Sequence, residues 1–438
     1  MMVLLAAVFG QETLLTLAAL LVITIPLAWV WQRVAFLGVT YQRHLDETRV
    51  FEGEHVTLTL RVTNRKWLPL AWLRVSDRLP LAIAPQEKPL APSHVPLAGI
   101  LESRASLLWN ERARWAYHIP CNRRGYYALG PATISSGDLF GLFERPLEFP
   151  HIDRLIVYPR MDPLEEWGLP PKEPFGDARA RLPVFQDPTR IRGLRDYHPE
   201  DAPKHIHWRA TARHNALKVK QYDPTINFNW VFFLNIATYE QAWQGVDSER
   251  AERAIRLTAS LANFAAQQKY AFGLVANGTY PDSDQRLRIM PGRDPLQLRN
   301  VLEALAAVSY FVASPIETLL RRESANLPWG ATLIVVTALV TENLLAELLR
   351  LQEVGRRLAL ISLDENWTPQ PLPGIIVYRA QEPPPRPPPP PSPYKGEGEG
   401  VPPPPSPYKG EGGSNEFIRS APSAETERMN SSLHSRVE

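Results

Sequence analysis

The sequence predicts a multidomain chain: an N-terminal transmembrane helix, an antiparallel β-sandwich-like module, an α/β domain of the Rossmann type, and a disordered proline-rich tail. Twenty uncharged residues lie between Glu12 and Arg33. From about residue 46 to 160, apolar and polar residues alternate with period two. From about 190 to 380, short apolar runs alternate with stretches of helical spacing. A length of 438 residues accommodates two or three domains at about 150 residues each. The net charge of +2 argues against a dedicated nucleic-acid binder, which carries a clear basic excess. One cysteine, Cys121, excludes a disulfide framework and a multi-cysteine zinc site.

The first element is read over 1–40, with the span at about 13–32 (TLLTLAALLVITIPLAWVWQ). Its length suits a bilayer, Pro26 is tolerated better in a membrane helix than in a soluble one, and Trp29 and Trp31 fall where interfacial aromatics sit. Arg33, Arg43 and Arg49 follow the run and no basic residue precedes it. That asymmetry predicts a single-pass protein of the inner or plasma membrane with its large domain in the cytoplasm.

The sandwich-like module is read over 46–160. Val56, Leu58, Leu60 and Val62 alternate with polar residues, Ala71, Leu73 and Val75 continue the theme, and Trp115, Tyr117 and Ile119 repeat it before a turn at Asn122-Arg123-Arg124-Gly125. Residues 80–105, rich in proline and weakly patterned, read as a long loop, and 161–189 as a linker.

The α/β domain is read over 190–380. Trp230 to Ile236, Ala271 to Ala276, Ala331 to Val340, Arg357 to Leu363 and Ile375 to Tyr378 read as strands, with helices around 251–265, 294–311 and 341–355 between them. This alternation predicts a parallel sheet covered on both faces. No phosphate loop or glycine fingerprint follows the first strand. The tail, 381–438, holds fifteen of the 44 prolines and a direct repeat of PPPPSPYKGEG at Pro388 and Pro402; such composition buries no core.

Chemistry concentrates in residues 190–220, RIRGLRDYHPEDAPKHIHWRATARHNALKVK. Eight Lys or Arg stand against Asp196, Glu200 and Asp201, a local excess of five, and four of the ten histidines are here. Asp201 and Pro203 mark a helix start, so 203–213 reads as a short helix. On a helix His205, Arg209 and Arg213 form one stripe; on a strand His207 joins them. The block is open to four readings: a partner or anion surface held by Trp208 and including Arg195; an internal network with the three acids; a metal site from His205 and His207, which arginine-rich surroundings disfavour; and nucleic acid, for which the basic density is too local.

GLRDYHPEDAPKHIHWRATARHNALKVKQYD resembles the signature of the domain of unknown function 58 family. FEGEHVTLTLRVTNRKWLPLAWLRVSDRLP, from Phe51, and NRRGYYALGPATISSGDLFGLFER, from Asn122, resemble its other conserved stretches in the same order. The likeness runs over about 33–310. It implies a membrane anchor, a β-sandwich-like module and a von Willebrand factor A-like domain. It also implies a MoxR-type AAA+ ATPase as partner, beside whose genes members are often encoded, and a role in assembly or maturation of a partner complex. The chain departs from the pattern twice. Glu200-Asp201 stands where the family has Gly-Asp, and the family fold's Mg²⁺ loop maps onto Asn235, Ala237 and Tyr239, which lack the charged ligand. Thr337-Ala338-Leu339 brings no acid either. No metal or other cofactor is expected. The functions weighed are a non-catalytic membrane-anchored adaptor, a structural scaffold of the cell envelope, and an enzyme using His205, His207 and Asp201 as acid and base.

Overall fold

The computed structural model describes residues 12–170, 186–198, 206–214, 216–224, 229–281, 286–328 and 330–384. The chain divides into two compact units, with the boundary at Val157 and Tyr158.

The first unit opens with helix α1, Glu12–Val34, which holds Pro26 inside it. Among the described residues no helix is long and apolar enough to cross a membrane. That finding overturns the expected single-pass span and the membrane localisation built on it. The side chains of residues 12–15 and 18 are outside the described set. The end of the helix packs on protein: Ala28 and Ala35 are buried, Gln32 Nε2 donates to Glu144 O at 3.2 Å, and Arg145 Nη1 donates to Arg33 O at 3.1 Å.

Eleven strands follow: β1 Val39–Leu45, β2 Arg49–Phe51, β3 His55–Asn64, β4 Leu70–Pro80, β5 Ala91–Pro92, β6 Ala98–Leu107, β7 Arg112–Pro120, β8 Gly125–Leu129, β9 Ala132–Gly137, β10 Glu144–Phe149 and β11 Asp153–Tyr158. They form sheets ordered β1-β3-β7, β10-β9-β4-β6-β5 and β2-β11-β8, the first two antiparallel throughout and the third antiparallel between β11 and β8. The period-two pattern has the expected consequence. Val56, Leu58, Leu60 and Val62 of β3, Trp115, Tyr117 and Ile119 of β7, and Leu73, Val75 and Leu79 of β4 meet in one core. The stretch 80–105, read as a loop, contains β5 and most of β6. The inward positions of β6 include Gly99 and Ser103 beside Leu101 and Leu107, so its alternation carries little apolar signal.

One charged cluster lies inside this unit. Arg43 of β1 meets Asp77 of β4 through Nε at 2.8 Å and Nη2 at 2.9 Å, and Asp153 of β11 through Nη1 at 3.0 Å. Tyr41 Oη donates to Asp77 at 2.8 Å. Burial first, then the Asp77 charge, pushes the Tyr41 phenol up, so it stays protonated and donates. Burial works against the Arg43 cation, but Asp77 and Tyr41 outweigh it and hold its pKa above the ordinary guanidinium value.

The second unit begins at Tyr158 and takes in the first residues of what the sequence suggests is a linker. Trp167 is fully buried and Leu164 and Leu169 nearly so. Asp162 N donates to Ser260 Oγ at 2.9 Å, and Gln381 N donates to Trp167 O at 3.0 Å. The start of the proline-rich tail is therefore bonded to this unit; its repeats lie outside the described residues.

The remaining elements are β12 Gln186–Asp196, α2 Trp208–His214, β13 Lys218–Pro224, β14 Asn229–Asn235, α3 Ser248–Gln267, β15 Ala271–Thr279, β16 Arg286–Gly292, α4 Gln297–Ala307, α5 Ile316–Ser324, β17 Ala331–Thr337, α6 Glu342–Glu353, β18 Arg357–Ser362 and β19 Ile375–Arg379. Six strands make one sheet, β16-β15-β14-β17-β18-β19. Its pairings are parallel except at β16, which runs antiparallel to β15. This is the 3-2-1-4-5-6 order of the doubly wound Rossmann type, with the third strand reversed. One face packs against α5 and α6 through Leu319, Leu320, Leu344 and Leu348. On the other, Trp230 stacks on Phe264 of α3 at 6.0 Å between ring centroids. Covering on both faces accounts for the continuous apolar strands. The start of α3 is fixed by Asp247, whose carboxylate accepts from Glu249 N at 3.0 Å and Arg250 N at 3.4 Å.

Candidate functional site

In a doubly wound sheet, ligands bind beyond the carboxyl ends of the strands where the order reverses. Here that point lies between β14 and β17, and the strand ends close it with their own side chains. Asn235 is buried. Its Nδ2 donates to Thr337 Oγ1 at 3.0 Å, across the reversal. Its Oδ1 accepts from Asn277 Nδ2 at 2.7 Å and Ala237 N at 3.1 Å. Asn277 Oδ1 accepts from Ile236 N at 2.8 Å, and Thr337 Oγ1 donates to Leu339 O at 2.6 Å. Beside this neutral network stands Arg250 of α3. It donates to Thr238 O and Ala338 O, both at 3.2 Å, and lies 3.8 Å from Asp364. A guanidinium thus satisfies the carbonyls at the sheet's carboxyl edge. Of the positions expected to be degenerate, Asn235 and Ala237 are absorbed into backbone and amide hydrogen bonds and Tyr239 is exposed. Among the described residues no three His, Cys, Asp or Glu side chains converge as a metal-holding group.

Arg250, Asn277 and Asp364 are missing from the sequence reading. Arg250 carried a signal: it lies one turn into a helix whose cap, Asp247, follows the end of β14. Asn277, a polar residue closing an otherwise apolar strand, carried another.

The basic block is a separate structure. β12 and β13 form a two-stranded antiparallel sheet with Asp196 opposite Lys218 and Arg195 opposite Val219. The segment before β13 folds back on it. His207 N donates to Lys218 O at 2.8 Å and Lys218 N donates to Thr211 Oγ1 at 3.1 Å. Among the described residues of this module Ala210 and Val219 are buried. Helix α2 is Trp208–His214, shorter and later than the 203–213 expected from Asp201 and Pro203. Its start is fixed locally, because His207 Nδ1 accepts the backbone N–H of Ala210 at 3.1 Å. That contact assigns the ring proton to Nε2 and makes His207 a capping side chain. Asp201 and His205, named from the sequence, lie outside the described residues, as do the side chains of Arg190 and Arg192.

The structure therefore brings together Arg195, His207, Trp208, Arg209 and Arg213. Trp208 is 67% exposed. Arg209 and Arg213 are exposed on consecutive turns, and i,i+4 like charges repel. Neither has an ion-pair partner among the described residues. Among the described side chains of this module the acid is already used: Lys218 Nζ pairs with Asp196 at 2.6 Å and holds that carboxyl below the usual range. Arg195 Nη1 donates to Asp196 O at 3.1 Å. An exposed tryptophan flanked by uncompensated arginines can stack on, and pair with, an acidic protein surface.

Among curated proteins, the uncharacterised protein YeaD of Bacillus subtilis (strain 168) is 23% identical over 317 residues, 72% of each chain. Solved structures with some likeness include the C-terminal domain of Wzt (14% identity, 28% of this chain and 76% of that one, TM-score 0.20). The sporulation control protein Spo0M of Bacillus subtilis is another (14% identity, 30% and 54%, TM-score 0.18). Overlaps this small carry no argument about fold or function. The signature block and the sheet that follows it agree with the family comparison: residues 193–364 match the family described as protein of unknown function DUF58.

Proposed function

We propose that the chain is a non-catalytic interaction protein whose second unit docks an acidic face of a partner against Trp208, Arg209 and Arg213, with Arg195 at the margin. The observation that supports this reading is the exposed Trp208 beside an i,i+4 pair of arginines that the described residues leave uncompensated. Tryptophan and arginine are the residue types that concentrate binding energy at interfaces. The partner class comes from the resemblance: a MoxR-type AAA+ ATPase, for which the chain would act as an adaptor in assembly or maturation of a complex. The filled crevice at the carboxyl edge of the sheet favours the hairpin and α2 over the strand ends as the working surface.

The test is capture of the purified ATPase by the immobilised full chain. Wild type retains it, and W208A and R209E/R213E weaken retention at least tenfold while melting at the wild-type temperature. Equal retention by wild type and R209E/R213E overturns the surface; no retention by wild type overturns the partner.

A further inference from the structure

A second cationic surface lies in the first unit. Arg61 of β3 and Arg114 of β7 are direct cross-strand partners, and both are exposed. The backbone fixes how close they stand. Asn64 N donates to Glu111 O and Cys121 N to Glu54 O. Even-numbered residues of β3 therefore occupy the hydrogen-bonded pairs, and Arg61 and Arg114 form a non-hydrogen-bonded pair. In such a pair facing side chains are closest, and like charges there are unfavourable. No ion pair offsets either guanidinium among the described residues.

Beside this pair runs an unpaired strand edge. Among the described residues β1 pairs with β3 alone. Gly38 O accepts from Arg65 N and Asp46 N donates to Thr57 O. The even-numbered residues of β1 therefore bond to β3, and the backbone groups of Tyr41 and Arg43 point to the free edge. A groove of about 660 Å³ follows that edge: four consecutive residues, Tyr41 to His44, line it together with Arg61, Arg114 and Phe149. A sheet face would offer a pocket every second residue; an unbroken run of four means that the edge itself faces the groove. The acid in its lining, Asp153, is already engaged by Arg43 at 3.0 Å and His151 at 3.1 Å, so it leaves the arginine pair uncompensated.

We propose that this groove binds an extended acidic segment of a partner protein, which adds as a strand to the free edge of β1 and turns its carboxylates toward Arg61, with Arg114 one strand farther adding to the positive field. Free backbone groups in register supply the pairing, and the arginines supply the charge selection. A small anion would use the charges and leave the edge unpaired; an extended peptide uses both.

The experiment measures fluorescence polarisation of a labelled eight-residue alternating Glu-Val peptide against the full chain. Expected results are saturable binding that weakens with added salt and no comparable binding of the alternating Lys-Val peptide. R61E/R114E should bind at least tenfold more weakly with an unchanged melting temperature, and R61Q/R114Q provides the same readout if charge reversal impairs folding. N-methylating alternate backbone amides of the peptide, in one of the two possible sets, should weaken binding at least tenfold with no change to the protein. The proposal is overturned if wild type does not bind, if the Lys-Val peptide binds equally, or if both methylated sets bind as well as the parent. Displacement of the peptide by inorganic phosphate or free glutamate at equal anion concentration also overturns it, in favour of a simple anion site.

Discussion

Arg43 and the pair Arg209–Arg213 are the same residue type under opposite rules. Arg43 has a side chain 3% exposed, and its donors are directed at Asp77, Asp153 and the carbonyl of Leu129. Arg209 and Arg213 are exposed and have no ion-pair partner among the described residues. A cation withdrawn from water must be paired, because removing its hydration costs several kcal/mol. A cation in water needs no partner, so an exposed uncompensated pair beside an exposed tryptophan is free to serve an external surface. Arginine content alone separates neither case; the partners do.

The comparison breaks first if the interior cluster is dispensable. Asp77→Ala would leave Arg43 buried without its main partner, and unfolding by denaturant should show a loss of about 3–5 kcal/mol. The double change R43M/D77L removes both charges and should cost much less, since a well-packed apolar replacement is often close to neutral. A D77A loss below about 1 kcal/mol would mean that Arg43 reaches water or finds another carboxylate.

A smaller effect is expected at the neutral cluster of the second unit. Asn235→Leu leaves Asn277 Nδ2 and Ala237 N without the contacts that now satisfy them, while Thr337 Oγ1 keeps its bonds to Leu339. About 1–3 kcal/mol is expected for a buried group left unpaired, read from the unfolding transition of the second unit. Loss within error would show that water enters the switch point, and would reopen it as a ligand site.

Glu347 of α6 sharpens the comparison through pH. Burial alone would raise its pKa, but hydrogen bonds from Arg321 at 2.7 Å and Arg350 outweigh burial and hold it below the ordinary 4.5. A depressed folded-state pKa gives stability that is present above the unfolded value and lost as pH falls through the folded one. Wild type should therefore lose stability on acidification below about pH 4.5 more steeply than Glu347→Gln. Parallel curves for the two proteins would show that the two arginines leave the carboxylate unperturbed.

The regular parts of both units were legible because their side chains obey a period. Val56 to Val62 and Trp115 to Ile119 alternate because one face of each strand is buried. Trp230 to Leu234 is apolar throughout because both faces are covered. β6 escaped because Gly99 and Ser103 occupy inward positions. β16 escaped because an antiparallel edge strand after a short connection breaks the strand–helix alternation. At the site, composition located the basic block and named Trp208, Arg209 and Arg213. It could not show that the His207 ring caps α2 through the backbone N–H of Ala210. It missed Arg250 and Asn277, whose partners are distant in sequence. The N-terminal span was read from hydropathy, the tryptophans at its end and the arginines after it, none of which registers that Ala28, Gln32 and Arg33 meet the first unit.

The smallest expected effect tests the other half of the comparison. Arg213→Glu replaces an i,i+4 repulsion with an attraction to Arg209, worth a few tenths of a kcal/mol. The second unit should melt at or slightly above the wild-type temperature, and most exposed substitutions stay within about 0.5 kcal/mol. The same change should abolish retention of an acidic partner. Stability unchanged and binding lost is the pattern of a surface kept for something outside the fold. If Arg213→Glu instead destabilises by more than about 1 kcal/mol, Arg213 belongs with Arg43 as a structural cation, and the interaction surface must lie elsewhere on the unit.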